Sequence, residues 1–235
     1  MTEYQKFLTK FIERGYEILS MSTMFEKKNQ LMLRHDIDFS IPFAYQIACQ
    51  EAEINVKSSF FFLLRSKAYN IFELENFKLI KKIHELGHKI SVHFDASLYD
   101  NVHSGLQKEL DMFSLLGDSF EKIELVSIHR PKDGLLGSEE KIQFIEHTYM
   151  PKYFRDIAYF ADSGGSFKYG NSLESEAFKQ NDTIHLLIHP IWWVEGDFYG
   201  DAMVMLDKFR LSQDKAYLNF MVENCIPYQI FMENK

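Results

Sequence analysis

The chain is poor in cysteine. Only Cys49 and Cys225 occur in 235 residues, and neither belongs to a C-x-x-C pair. Two such residues cannot make a zinc finger. Both lie in apolar patterns of helical spacing, where free cysteine behaves as a small hydrophobe. We therefore expect two buried, reduced thiols.

Positive charge is scarce and scattered. The chain has 26 Lys and Arg against 34 Asp and Glu, a formal net charge of −8, and no Lys/Arg-rich tract. Phosphate backbones and anionic membrane surfaces bind concentrated positive charge. Neither nucleic acid nor such a surface is therefore an expected partner. The acidic balance is compatible with binding divalent cations but does not by itself specify it.

Long hydrophobic runs and linkers are also missing. No apolar stretch reaches the length of a membrane-spanning helix. The first residues are polar and acidic, where a signal peptide needs a basic start and an apolar run. We expect a cytoplasmic protein without membrane insertion. Since no low-complexity or Pro/Gly-rich segment divides the chain, we predict one domain over 1–235, with an N-terminal helix over 1–20 packed on it.

The chain does contain short apolar strands that alternate with helices. Strands are predicted at 31–33, 58–64, 89–94, 125–129, 159–161 and 183–189, and helices at 42–53, 72–86, 103–116 and 201–223. Alternation at roughly thirty-residue intervals predicts parallel βαβ units. Near-continuous hydrophobic strands predict a sheet covered on both faces. Both a doubly wound sheet and a barrel have this pattern.

Ionisable residues stand at the C-terminal ends of four predicted strands, the ends from which α/β barrels build their active sites. They are Asp36 and Asp38, His93 and Asp95, His129, and His189. Residues i and i+2 of a strand face the same side, so each pair can point together. Two close carboxylates repel unless a cation or proton lies between them. The mixture predicts a divalent metal site, with zinc the usual choice and manganese, iron or cobalt the alternatives.

Four segments resemble, in order, the motifs of one enzyme family. They read Leu-Arg-His-Asp-Ile-Asp at 33–38, Gly-His-Lys-Ile-Ser-Val-His-Phe at 87–94, Ser-Ile-His-Arg-Pro at 127–131 and His-Leu-Leu-Ile-His-Pro at 185–190. The set resembles the polysaccharide deacetylases (the NodB-homology, carbohydrate esterase family four group). It is more similar to a divergent bacterial branch with an Arg-His-Asp-x-Asp motif, found in surface-polysaccharide biosynthesis. The resemblance implies a distorted parallel β/α barrel of about seven strands.

The resemblance also implies roles for the strand-end residues. Asp38 and His93 correspond to metal ligands, Asp36 to the general base, although the two aspartates could exchange roles, and His189 to the general acid. The family's second motif supplies a further histidine where this chain has Ser97. The third ligand is therefore open between three candidates, which are His129, Asp36 and Asp95.

Three further residues are candidates for substrate binding. Arg130 belongs to the Arg-Pro segment that lines the family's pocket. Asp162 precedes a Gly-rich turn and either lines the pocket or tunes a catalytic group. Trp192 follows the last motif and either stacks on a sugar ring or packs in the core.

Together these features predict a metal-dependent hydrolase that removes an acyl group from an N-acetylated sugar. A cytoplasmic enzyme does not reach mature cell-wall polymer, so the expected substrate is a carbohydrate precursor such as a nucleotide sugar or a lipid-linked sugar. Two alternatives stay open. One is another metal-dependent amidohydrolase or phosphoesterase, and the other is a non-catalytic carbohydrate-binding relative of the deacetylases.

Overall fold

A parallel β-sheet forms the centre of the computed structural model, which describes residues 1–117, 120, 122–131, 134–194 and 202–234. Eight strands of these residues form the sheet: β1 (Glu17–Ser20), β2 (Gln30–Ile37), β3 (Ser59–Phe62), β4 (Lys89–Asp95), β5 (Leu125–His129), β6 (Glu146–His147), β7 (Ala158–Ala161) and β8 (Ile184–Ile188). Seven of them lie in the order β6-β5-β4-β3-β2-β8-β7, and β1 pairs with the first half of β2.

This order is that of a barrel with one ladder missing. From β2 to β6 each strand lies beside the next in sequence, and β8 then returns to pair with the other edge of β2. Only a β6–β7 ladder would be needed to close the circle, and the described residues form none. All the strand ladders are parallel. The predicted distorted parallel β/α barrel is thus confirmed, in an open form.

Helices cover the outside of the sheet. They are α1 (Glu3–Arg14), α2 (Ile41–Glu53), α3 (Leu74–Glu85), α4 (Val102–Ser114), α5 (Pro151–Phe154), α6 (Glu176–Lys179), α7 (Ala202–Asn224) and α8 (Ile226–Glu233). Capping residues mark where helices begin, as in α2. The Ser40 side chain accepts the N–H of Phe43 at the start of α2, where Pro42 occupies the first turn.

The N-terminal helix is shorter than expected. A capping box between Thr2 and Gln5 begins α1, and Gly15, at φ 95°, ends it in the left-handed conformation. The chain then continues into β1 rather than extending the helix to residue 20. Tyr4, Leu8 and Phe11 are fully buried in the main hydrophobic cluster, so α1 packs on the body of the fold.

The expectation of two buried cysteines is wrong, since Cys49 is only half-buried and Cys225 is exposed. Two histidines away from the strand-end cluster are buried. His147 lies in β6, with Nε2 3.2 Å from the Glu140 carbonyl oxygen. His88 lies in the loop before β4, and its Nε2 lies 3.1 Å from the Ala48 carbonyl oxygen.

The long helix predicted at 201–223 is present as α7, and the sequence interpretation missed a second C-terminal helix, α8. Residue 201 lies outside the described residues, α7 begins at Ala202, and α8 follows it after Cys225. Among the described residues, no helix combines the length and apolar character needed to cross a membrane.

Candidate metal and catalytic site

The predicted site residues come together at one rim of the barrel. Because the strands are parallel, their C-terminal ends share this rim. Asp36 lies in β2, and Asp38 follows it. His93 and His129 lie in β4 and β5, and His189 follows β8.

Three of these side chains form a cluster with the spacing of metal ligands. Asp38 Oδ1 lies 3.3 Å from His93 Nε2 and 3.5 Å from His129 Nδ1. The two imidazole nitrogens are 3.1 Å apart. Nitrogen and oxygen ligands about 2.0–2.1 Å from a tetrahedral ion lie about 3.4 Å from one another. The ligand atoms of Asp38, His93 and His129 therefore fit one cation.

Hydrogen bonding prepares this cluster for a cation. His93 Nδ1 lies 2.5 Å from Ser127 Oγ, which fixes the ring with Nε2 toward the cluster. Asp38 Oδ1 is buried, and no described residue gives it a well-aligned hydrogen bond. A buried carboxylate oxygen without a donor is an unsatisfied acceptor, which a bound cation would satisfy.

The protonation states also suit metal binding. Burial opposes ionisation of Asp38, but the surrounding imidazoles of His93, His189 and His129 outweigh it and hold the pKa of Asp38 below its usual value. Burial and the neighbouring His93 lower the pKa of His129. Asp38 is therefore an anion and His129 a neutral imidazole near pH 7, the forms that ligate metals.

Of the three candidates for a third ligand, the structure brings His129 to Asp38 and His93. Asp95 is not part of this cluster, and its Oδ1 accepts hydrogen bonds from the Ser97 N–H (3.0 Å) and hydroxyl (2.5 Å). It thereby caps the short 3₁₀ helix Ala96–Leu98. Asp36 is paired with Arg34 instead.

Arg34 is a site residue that the sequence interpretation missed. It is fully buried and donates from Nε to Asp36 Oδ1 (2.8 Å) and from Nη2 to Oδ2 (2.5 Å). Burial raises the pKa of Asp36, but the Arg34 charge, and secondly that of His93, bring it well below the usual range. Asp36 Oδ2 lies 3.6 Å from His93 Nε2, so an ionised carboxylate stands beside the cluster.

Strand alternation explains this placement. Arg34, Asp36 and Asp38 alternate along the chain and share one side of β2, the side of the site. His35 points to the opposite side, where Nε2 lies 2.7 Å from Glu51 Oε1. Because Arg34 stands two residues before Asp36, this alternation was the feature of the sequence that could have identified it as a site residue.

His189 forms a second pair with Asp162. Its Nδ1 lies 2.6 Å from Asp162 Oδ1, and its Nε2 lies 3.7 Å from Asp38 Oδ2. Burial lowers the pKa of His189, but the Asp162 charge outweighs this and raises it to about 9. His189 thus presents Nε2 to Asp38 of the cluster, while Asp162 binds the other ring nitrogen.

Asp162 itself is fully buried. Its oxygens also accept the backbone N–H of His189 (3.0 Å) and the indole N–H of Trp193 (2.9 Å). Since protein donors occupy both oxygens, this geometry favours the tuning of a catalytic group over lining of the pocket.

The two remaining substrate-binding candidates differ in exposure. Arg130 follows β5 at φ 50° and is exposed at the rim beside His129. Trp192 is only 8% exposed and belongs to the main hydrophobic cluster. Gly165, at φ 74°, adopts the left-handed conformation that favours glycine and packs beside the Trp192 ring. For Trp192 the structure shows the core alternative.

Comparisons with known proteins give no match in sequence, either to a protein family or to a curated protein. Among solved structures, the peptidoglycan N-acetylglucosamine deacetylase Bc1960, in complex with a hydroxamate-type benzamide, covers 88% of this chain and 91% of its own at 15% identity and a TM-score of 0.46. BA3943, a CE4 family pseudoenzyme from Bacillus anthracis, covers 83% of this chain and 65% of its own at 13% identity and a TM-score of 0.39. The function therefore has to be argued from the site's own residues.

Proposed function

We propose that the protein is a divalent-metal-dependent hydrolase that removes the acyl group from an N-acylated sugar. One observation carries the proposal. The ligand atoms of Asp38, His93 and His129 lie together, flanked by an Arg34-bound carboxylate and an Asp162-bound imidazole. Acyl-group hydrolysis needs a cation site, a base and an acid within reach of one bond.

Asp38, His93 and His129 would hold the metal. Two imidazoles and one carboxylate suit zinc, and manganese, iron or cobalt as alternatives, better than magnesium or calcium. When bound, such a cation polarises an acyl oxygen and makes water more acidic. Three protein ligands leave a position free for these oxygens, the arrangement of catalytic rather than structural sites.

Asp36 and His189 would move the protons. Arg34 holds Asp36 as a carboxylate beside the cluster, where it can accept a proton from the attacking water. His189 presents Nε2 on another side of Asp38 and would donate its proton to the leaving sugar nitrogen. Asp162, which accepts from Nδ1, orients the His189 ring and stabilises its protonated form.

The proposed substrate is a carbohydrate precursor of a surface polysaccharide. Arg130 is the proposed substrate contact because it is exposed at the rim next to a metal ligand. A guanidinium there can bind carboxylate, phosphate or hydroxyl oxygens of a sugar.

The test measures metal content and acetate release from N-acetylated sugars after loading with zinc, manganese, iron or cobalt. Asp38→Ala and His93→Ala are expected to lose stoichiometric metal and activity. Asp95→Asn is the matched control, because Asp95 also ends a strand at this rim but caps a 3₁₀ helix. It is expected to retain metal and activity.

The outcome separates the proposal from its alternatives. A wild-type protein that binds no metal, or variants that match it, would refute the metal-dependent site. Stoichiometric metal with sugar binding but no acetate release would indicate a non-catalytic carbohydrate-binding protein. Release from aryl phosphates but not from acetamide sugars would indicate a phosphoesterase.

A further inference from the structure

The two C-terminal helices, α7 and α8, form an arm, and its one buried side chain among the described residues, Met205, lies near its start. In α7, the Phe209 ring lies 5.6 Å from that of Phe39. Beyond this contact, seven large apolar side chains are 38–72% exposed: Leu211, Tyr217, Phe220, Met221, Ile226, Ile230 and Phe231. Apolar residues that occur all around a helix are typical of a helix buried on several sides. None of the described residues covers this part of the arm's apolar surface.

An apolar groove of about 870 Å³ separates the arm from the body. Ile41, Phe43 and Tyr69 line it on the body side, and Ala216, Tyr217 and Phe220 line it on the α7 side. Phe39 and Ser40, directly after Asp38, line both this groove and a small crevice at Asp36 and His189. The groove thus adjoins the rim that carries the candidate site.

The last helix, α8, has an exposed apolar face of the kind that binds in such a groove. In α8, Tyr228 and Met232 are half-buried, whereas Ile226, Ile230 and Phe231 are exposed. Ile226 and Ile230 are four residues apart and so lie on one face, the spacing by which a helix binds an apolar groove. We propose that α8 of a second copy of this chain occupies the groove, and that its own groove receives α8 in return.

The exposed area supports a second copy as the occupant. The proposed contact covers the exposed side chains of the groove and of α8, which are Tyr217, Phe220, Ile226, Ile230 and Phe231. Burying them would remove roughly 600 Å² per chain, or about 1,200 Å² in total, the lower limit of stable specific interfaces. A groove and an insert on the same chain form a self-complementary pair, as a two-fold interface requires.

The charges of the arm also favour a second copy over an anionic bilayer as the occupant of the groove. Residues 202–234 contain three basic and four acidic side chains. Arg210 is paired within α7 to Asp207 (2.9 Å) and Asp214 (2.7 Å). Two nearly neutral arms do not repel each other. Anionic bilayers attract segments with excess Lys and Arg, which this arm lacks.

The test is the oligomeric state of the whole protein by sedimentation velocity over roughly 1–100 µM, the range of moderate affinities. We expect a species of twice 27.8 kDa. Ile230→Asp places a carboxylate of α8 in the apolar groove of the second copy. Ala216→Arg extends a long charged side chain from α7 into the groove. Each should weaken dimerisation at least about tenfold. Gln229→Asp, which adds the same charge at an exposed neighbour in α8, should remain dimeric, and far-UV circular dichroism checks that all variants fold.

Three outcomes overturn the proposal. If wild type is a monomer at every concentration, α8 does not bind the groove of a second copy. Dimerisation of Ile230→Asp and Ala216→Arg as strong as that of wild type places the interface elsewhere. A monomer that floats with phosphatidylcholine vesicles identifies a lipid surface as the occupant. None of these results depends on metal binding or acetate release, so the proposed function is tested separately.

Discussion

Arg34 and Asp36 form a bidentate ion pair inside the barrel, with both side chains almost completely buried. A buried pair contributes little over apolar packing, but removal of one partner leaves an uncompensated charge. Arg34 is therefore important both for the fold and for the charge of the proposed base.

We expect Arg34→Met to lower the free energy of unfolding by about 3–5 kcal/mol, because Asp36 loses its counter-charge. Arg34→Lys should cost less, since it keeps the charge but loses the second hydrogen bond. Urea unfolding measures both. Arg14→Met is the control at an exposed arginine and should cost about 1 kcal/mol or less. Equal losses at positions 34 and 14 would contradict the importance of the buried pair.

His185 gives a prediction for pH. It is buried in β8, and its Nδ1 lies 2.9 Å from the Tyr153 carbonyl oxygen, which makes Nδ1 the protonated nitrogen. Burial and the Arg34 charge lower the pKa of His185 from 6.5 to about 3. In the unfolded chain, His185 therefore binds a proton below pH 6.5. In the folded protein, the same imidazole stays neutral down to about pH 3. The stabilisation is present above pH 6.5 and is lost as the pH falls.

From this residue alone, the free energy of unfolding should fall by about 1.2 kcal/mol between pH 6 and pH 5. His185→Asn keeps a donor for the Tyr153 carbonyl but cannot titrate, so its unfolding free energy should fall less steeply by that amount. Urea unfolding at pH 7, 6 and 5 gives both slopes. Identical slopes would show that His185 is accessible to protons in the folded protein.

The continuous apolar runs predicted a covered parallel sheet, and the resemblance of the four motifs implied that this sheet is a barrel. The sequence interpretation missed β1 and β6 for a physical reason. β1 is four residues long and only partly buried, and β6 has two residues, so neither forms an apolar run. Their positions depend on pairing with β2 and β5.

The choice of His129 over Asp95 as the proposed third ligand depends on one local turn. Asp95 and His129 both end strands, and residue type alone does not separate them. The difference lies in Ser97, whose N–H and hydroxyl bind Asp95. An aspartate two residues before a serine is a local side-chain-to-backbone motif, so the sequence did contain this signal.

That distinction is testable by metal-linked stability. A ligand at one hundred times its dissociation constant raises the free energy of unfolding by about 2.7 kcal/mol. We expect zinc, added after removal of metal with EDTA, to stabilise wild type and Asp95→Asn to that extent. His129→Ala should show little of the effect. Urea unfolding with and without zinc measures it, and a normal zinc effect in His129→Ala would exclude His129 as a ligand.

Asp162 should act through His189 rather than on the substrate. In Asp162→Asn the amide NH₂ would face N–H donors of His189 and Trp193, so the ring loses its orientation and its charge partner. We expect kcat for acetate release to fall by about 10²- to 10⁴-fold, with KM and metal content little changed. Asp182→Asn, at an aspartate that is 40% exposed, is the control and should retain wild-type kcat. A rise in KM at constant kcat would instead assign Asp162 to substrate binding, since lost ground-state contacts appear in KM.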